Sequence, residues 1–352
     1  MHPFSLSLQD TMRLKGIALV LLLWHHLFYE GTSQYNEWYI ANIPVIQQTS
    51  LVAKCCVALF VFLSGYGLAI QAHKQQLGYI AFLRKRLKKL MVNYWAMWIL
   101  FVPLGFCFLG LSLYEIYGNH AYVKLFINFL GFQDLFGFYG VNPTWWFYSL
   151  IILLYILFPL LNKLMNTFNK AAAMVMLSAV LVVLPHFTCT FALQLYLVSF
   201  VLGIFIACYC NKLIISMFTS TARMLQLVAY MQSCIFSALL LLIAIALVVL
   251  LRVRIPFVLS IGLDSVLSLL IVLLYKKTMG GTNTPFTRLL ELVGRHSFNI
   301  FLFHTFIFYL YFPKIIYYPR NPILIFIWLL AICLAISVCI EWLKKVTGIA
   351  KI

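Results

Sequence analysis

Charged residues are few in this sequence. Only 9% of its 352 residues are Asp, Glu, Lys or Arg, where a soluble domain carries about 25%, so an ordinary water-soluble domain is excluded. Acid is the scarcer sign, with 8 Asp+Glu against 25 Lys+Arg. Polar linkers and low-complexity tracts are missing, which leaves no sign of separable modules. The first apolar run has no small-residue cleavage site and continues straight into "WHHLFYE", so no cleavable signal peptide is apparent. The nine cysteines are odd in number, lack paired spacing on one outer loop and lie mostly inside apolar runs. There they act as small hydrophobes rather than as a disulfide framework; "CYC" at 208–210 has no nearby partners for a metal. A "GxxxxGKS" loop is also missing, which argues against ATP-driven transport by this chain alone. No internal repeat of the kind found in many secondary transporters stands out.

What is present is apolar sequence, 64% of the chain. A membrane span needs about 20 such residues, and ten runs qualify or nearly so: 14–29, 51–72, 90–111, 145–161, 171–187, 191–210, 227–251, 256–275, 297–312 and 322–341. The 112–144 segment is apolar but broken by Gly131, Gly137, Gly140 and Pro143, which predicts an outer-face loop with interfacial helices. An eleventh span there would invert everything downstream. With the N-terminus cytoplasmic, 19 of the 25 basic residues fall on the inner side, as the positive-inside rule requires. The expectation is therefore an all-α polytopic membrane bundle of about ten transmembrane helices, both termini cytoplasmic, forming one domain over residues 1–352. The formal net charge of +17 reads as inner-face loading and contact with anionic lipid rather than as nucleic-acid binding. Trp38, Tyr317 and Tyr318 suit the outer aromatic belt.

The first span, "RLKGIALVLLLWHHLF" (13–28), places adjacent histidines where a simple anchor would carry leucine. Residues on a helix turn by about 100° and rise about 1.5 Å each, so Lys15 and His26, eleven apart, share a stripe to within about 20° and are separated by about 16 Å. His25 falls about 80° away from Lys15 by the same arithmetic. A lone buried histidine usually just bonds a neighbouring helix. Against that, intramembrane ionisable residues default to function, and imidazole suits proton transfer near neutral pH. Asp264, mid-span in "SIGLDSVLSLL", either orients a histidine or bonds a neighbouring helix.

With these residues in view, the chain resembles acyltransferase family 3, integral-membrane enzymes that O-acylate bacterial glycans and antibiotics. "KGIALVLLLWHHLF" resembles the family's opening helix, a basic residue followed after ten residues by histidine, here Lys15 and His26; lysine stands where the family often has arginine. "LFVFLSGYGL" (59–68) resembles its second-helix signature with Ser64, Gly65 and Tyr66. "FLRKRLKKLMVNYW" (82–95) resembles its basic cytoplasmic loop, with Asn93 where proline commonly precedes the tyrosine. "WWFYSLIILLYILFPLL" (145–161) and "GRHSFNIFLFH" (294–304) resemble two later motifs, the last carrying Ser297 and His304. These motifs occur in order over almost the whole chain. No extracytoplasmic hydrolase-like domain of the kind some members carry is seen, so the resemblance implies acceptor chemistry within the membrane domain or with a partner transferase.

The resemblance implies a donor, usually acetyl-CoA but also succinyl, on the cytoplasmic side, and a glycan or lipid-linked sugar acceptor outside, in the bacterial cytoplasmic membrane. Lys15, Arg84 and Arg86 are the leading candidates to hold the donor, with Lys88 and Lys89 as company. His26, ahead of His25, would take the acceptor's proton or accept the acyl group itself. Ser64 and Tyr66 would offer hydroxyls to the thioester carbonyl, and His304 is a second intramembrane imidazole. Trp145, Trp146 and Tyr155 read as belt and core residues. No metal is expected: adjacent helical histidines point about 100° apart, so His25, His26 and His304 make a poor metal set. A polysaccharide or lipid-linked sugar exporter is the competing reading, since ten spans with scattered polar residues also fit a transporter.

Overall fold

The computed structural model describes residues 5–31, 33–75, 77–184, 190–218 and 234–348. In chain order the helices are α1 (Leu8–Phe28), α2 (Val45–Ala53), α3 (Cys56–Lys74), α4 (Tyr79–Phe108), α5 (Leu113–Tyr117), α6 (Ala121–Phe129), α7 (Trp146–Leu164), α8 (Phe168–Val183), α9 (Phe191–Phe218), α10 (Cys234–Arg254), α11 (Phe257–Thr278), α12 (Pro285–Thr305), α13 (Pro313–Tyr317) and α14 (Pro322–Val346). A two-residue antiparallel ribbon, Tyr39–Ile40 against Ile43–Pro44, is the β structure among the described residues. Among the described residues, seven helical stretches are long and apolar enough to cross a membrane. The other three expected spans fall on α1 and α12, which carry several polar residues, and on the shorter α8. The 112–144 segment forms α5, α6 and two 3-10 turns, all too short to cross. The start of the 227–251 span, together with Cys189, Arg223 and Lys351, lies outside the described residues.

Lipid gives helices no hydrophobic reason to associate, so close packing through small residues does much of the joining. Two parallel pairs show it. In α1 and α12, a Cβ on Gly16 would lie 2.1 Å from the Leu290 carbonyl oxygen, and one on Gly294 would lie 1.7 Å from that of Met12. In α3 and α9, a Cβ on Gly65 would meet the Phe200 carbonyl at 2.2 Å, and one on Gly203 the Phe62 carbonyl at 2.2 Å. Each helix thus has a glycine seated on its partner's backbone.

Polar ties fix the ends. Ser7 and Asp10 form a capping box at the start of α1, satisfying backbone donors that the first turn leaves free. Asp10 also accepts from Tyr275 Oη at 2.8 Å and Lys276 Nζ at 3.0 Å, joining α1 to the end of α11. At the opposite end Glu37 accepts from the amides of Ile46 and Gln47 at the start of α2. Tyr35 bonds the Phe28 carbonyl nearby, and burial together with the Glu37 charge pushes its phenol above the ordinary value. Asp264 answers the question the sequence left: Arg252 Nε donates to it at 2.5 Å and a second guanidinium nitrogen at 3.2 Å, bonding α11 to α10.

Candidate active site

A cavity of about 680 Å³ opens at the end of the bundle where the basic residues collect. Lys15 of α1, Arg86 and Lys89 of α4, Arg295 of α12 and Lys344 of α14 give its wall five cations, with Glu341 the carboxylate among them. Lys344 is 5% exposed. Its ammonium donates to Asn93 Oδ1 at 2.7 Å, Glu341 Oε1 at 2.9 Å and Asn299 Oδ1 at 3.0 Å. Asn299 Nδ2 in turn donates to Glu341 at 2.7 Å. A buried cation is tolerable when satisfied in this way, and the network joins α4, α12 and α14 across the cavity wall. Arg295 pairs with Glu291. Lys15 and Lys89 make no ion pair among the described residues, so their charge is available to an anion.

Deeper in the bundle a second space, of only about 20 Å³, lies against His26. Leu22, Val57, Thr144 and Trp146 bound it, and Phe60, Phe147 and Phe301 line both spaces. The ring centroids of Phe60 and Phe147 are 6.3 Å apart and those of Phe147 and Phe301 4.9 Å. These three rings form a neck between the cationic cavity and the imidazole.

The neighbouring histidines are treated differently. His25 donates from Nδ1 to the Ser50 carbonyl at 2.9 Å, since a carbonyl can only accept, and so ties α1 to α2. His26 makes no hydrogen bond to a described residue; its ring lies 5.2 Å from that of His304, centroid to centroid. His304 Nδ1 sits 3.0 Å and 2.9 Å from the carbonyls of Ile300 and Phe301. That fixes the proton on Nδ1 and leaves Nε2 as an acceptor, with Thr305 Oγ1 at 3.4 Å. Thr144 Oγ1 is 3.3 Å from Thr305 Oγ1 and donates to Asn142 Oδ1 at 2.7 Å. The matched placement of the two histidines follows from the glycine seat: His26 lies ten residues beyond Gly16, and His304 ten beyond Gly294, on parallel helices.

The structure brings some expected site residues together and separates others. Lys15, Ser64, Arg86 and Tyr155 line the large cavity, and His26 and Trp146 the small space; Ser64 donates to the Phe60 carbonyl at 2.9 Å. Arg84 does not join Arg86. It lines a separate groove with Lys88, Met91 and Trp95 on another face of α4. Tyr66 does not join Ser64: its hydroxyl accepts from the Leu6 amide at 2.9 Å, and its ring packs with Leu14 and Ala18. The reason is the same in both cases, since residues two apart on a helix point about 160° away from each other. Trp145 is wholly buried and donates to the Leu302 carbonyl at 2.8 Å. Sequence reasoning missed Asn299, Lys344, Thr144 and the phenylalanine neck. The Glu341/Lys344 pair, set at the end of a long apolar run, was the signal for part of it. Among the described residues no group of three His, Cys, Asp or Glu side chains is arranged to hold a metal ion.

The site combines a cationic cavity, three shared phenylalanine rings and an intramembrane imidazole with no hydrogen bond to a described residue. A family model described as "Acyltransferase domain" matches residues 13–342, and the chain belongs to acyltransferase family 3. No curated protein and no solved structure matches it.

Proposed function

We propose that the chain moves an acyl group from cytoplasmic acyl-CoA to a hydroxyl of an extracytoplasmic glycan or lipid-linked sugar, within the cytoplasmic membrane of a bacterium. The helices make ten crossings, with both termini and the cationic cavity on the cytoplasmic side, in keeping with the distribution of basic residues. One observation carries the reading: a cavity of about 680 Å³ with five cations on its wall shares three phenylalanine rings with a small space against His26, whose ring makes no hydrogen bond to a described residue. Lys15, Arg86 and Lys89 suit the phosphates of a CoA thioester, which take charge-assisted hydrogen bonds. Ser64 and Tyr155 line the path of its arm.

At the far end of that path the acceptor oxygen bonds to the thioester carbonyl carbon while His26 takes its proton. The tetrahedral intermediate collapses with breakage of the carbon–sulfur bond, and the proton passes from the imidazolium to the leaving sulfur. The products are an ester and free CoA. A route in which the His26 nitrogen is acylated first requires the same placement. His304, its Nδ1 committed to two carbonyls, flanks His26 as a ring fixed in place. The test is incorporation of label from acyl-CoA by inside-out vesicles of the source membrane, which carry the acceptor. His26→Ala is expected to abolish it while the purified variant stays monodisperse and as heat-stable as wild type. A fully active His26→Ala protein sinks the proposal, and export without acylation would favour the exporter.

A further inference from the structure

The hydroxyl-bearing residue that borders the small space with His26 has its hydrogen already placed. Thr144 lies in the 3-10 turn Pro143–Trp145, which Asn142 caps. The Thr144 amide, which can only donate, donates to Asn142 Oδ1 at 2.9 Å, and Asn142 Nδ2 donates to the Leu302 carbonyl at 3.3 Å. Those two bonds settle which way the Asn142 amide is turned. Thr144 Oγ1, 2.7 Å from the same Oδ1, therefore gives it its one hydrogen. What the hydroxyl has left is lone pairs. His304 is placed in the same way, with Nδ1 committed to carbonyls and Nε2 left to accept. Between them stands Thr305 Oγ1, 3.3 Å from Thr144 Oγ1 and 3.4 Å from His304 Nε2. It has one hydrogen for the two of them. The cluster is thus short of hydrogens, and all four residues are buried, where an acceptor left unmet is costly.

In the reaction above, the reacting hydroxyl gives its only hydrogen to His26. Thr144 borders the same space as His26, and a hydrogen for its open lone pair must come from another group. We propose that the acceptor supplies it from a second hydroxyl, on the carbon next to the reacting one: the chain acylates one member of a vicinal diol, and Thr144 accepts a hydrogen bond from the other. The inference rests on the acyltransferase reading above and names the chemical class of the acceptor within it. The neighbouring hydroxyl keeps its hydrogen throughout. The ester bond forms at the first oxygen as the carbon–sulfur bond breaks, and the proton taken by His26 goes to sulfur. An alcohol whose neighbouring carbon carries no hydroxyl, or carries an ether, has no second hydrogen to offer and leaves Thr144 unmet. A site built to bond a substrate hydroxyl discriminates strongly against the analogue that lacks it.

The first test needs no Thr144 variant. Acceptor-bearing membranes from a strain lacking the chain are divided, and one half is treated with periodate, which cleaves the carbon–carbon bond between neighbouring hydroxyls and spares isolated ones. After quenching, both halves receive the purified full chain in detergent micelles with labelled acetyl- or succinyl-CoA, and His26→Ala protein is the blank. Periodate is expected to bring incorporation down to the blank; undiminished incorporation overturns the inference. In inside-out source vesicles, Thr144→Val, which keeps the shape and removes the lone pairs, is expected to lower incorporation by at least about tenfold at an unchanged donor KM. Thr144→Ser is expected to keep the wild-type rate. A heat-stable Thr144→Val protein working at the wild-type rate overturns the inference, and so does a heat-stable Thr144→Ser protein as slow as Thr144→Val. If untreated membranes give no incorporation above the blank, it is the acyltransferase reading that fails.

Discussion

Replacing Gly294 by alanine tests the frame on which the histidines stand. The added Cβ would lie 1.7 Å from the Met12 carbonyl oxygen and 3.0 Å from the Gly16 amide nitrogen. An ordinary carbon–oxygen contact is about 3.3 Å, so α1 and α12 must part by about 1.5 Å at this point. The opposing atoms are backbone, and no flexible side chain can swing aside. Overpacking a close contact costs about 1–3 kcal/mol, and Gly294→Ala is expected at or above the upper end. A misplacement of about 1 Å in a reacting constellation can cost about 100-fold in rate. Here the two affected helices carry Lys15, His26, Asn299 and His304. The variant should therefore lose about 100-fold in acyl incorporation per folded molecule and unfold at lower temperature in fluorescence-detected size exclusion. Gly67→Ala is the matched control, since a Cβ there meets nothing within 4 Å; it should be neutral or stabilising by about 0.5–1 kcal/mol. If Gly294→Ala behaves like Gly67→Ala in both assays, the glycine seat is not what positions the site.

Three further outcomes are expected. Arg86→Gln should raise the donor KM by about tenfold, the equivalent of one charged hydrogen bond, while Arg84→Gln leaves it unchanged because Arg84 faces another groove; equal effects would contradict the assignment of faces on α4. Lys344→Met removes the ammonium shared by Asn93, Asn299 and Glu341 and leaves the carboxylate facing the donor, so donor affinity should fall by at least about tenfold, read as KM; an unchanged KM counts against it. Asp264→Ala strips the carboxylate from buried Arg252 and should destabilise by about 3–5 kcal/mol, whereas the double change Arg252→Met with Asp264→Leu should recover most of that; a single variant as heat-stable as the double would contradict the pairing.

The order of the helices was legible because bilayer thickness imposes a length on every span and basic residues mark one side. The Lys15–His26 stripe was legible because both residues sit on one helix, where the angle between them is arithmetic. Within one helix the same arithmetic, applied to residues 84 and 86 or 64 and 66, would have separated Arg84 from Arg86 and Tyr66 from Ser64. Asn93 was visible only as a departure from the family pattern; its use became clear when Lys344, from the last long helix, was found bonded to it. The neck was not legible at all, because Phe60, Phe147 and Phe301 come from α3, α7 and α12 and resemble the chain's other phenylalanines until tertiary packing sets them together. The tie between Asp264 and Arg252 lay in the same class: Asp264 stood out in its apolar run, and only the packing of α10 on α11 showed its partner.

The step from a wide cavity to packed rings also has an electrical meaning. Water and counterions filling the cationic cavity hold it near the potential of the adjoining solution, so the voltage across the bilayer drops over the protein from the three rings to the opposite surface. An elementary charge crossing the whole field exchanges about 2.3 kcal/mol per 100 mV, but an acetyl group is neutral and does no electrical work in passing. The proton that ends on the CoA sulfur starts on the acceptor hydroxyl at the far side, so each turnover carries one positive charge inward, and collapsing an inside-negative membrane potential should slow turnover.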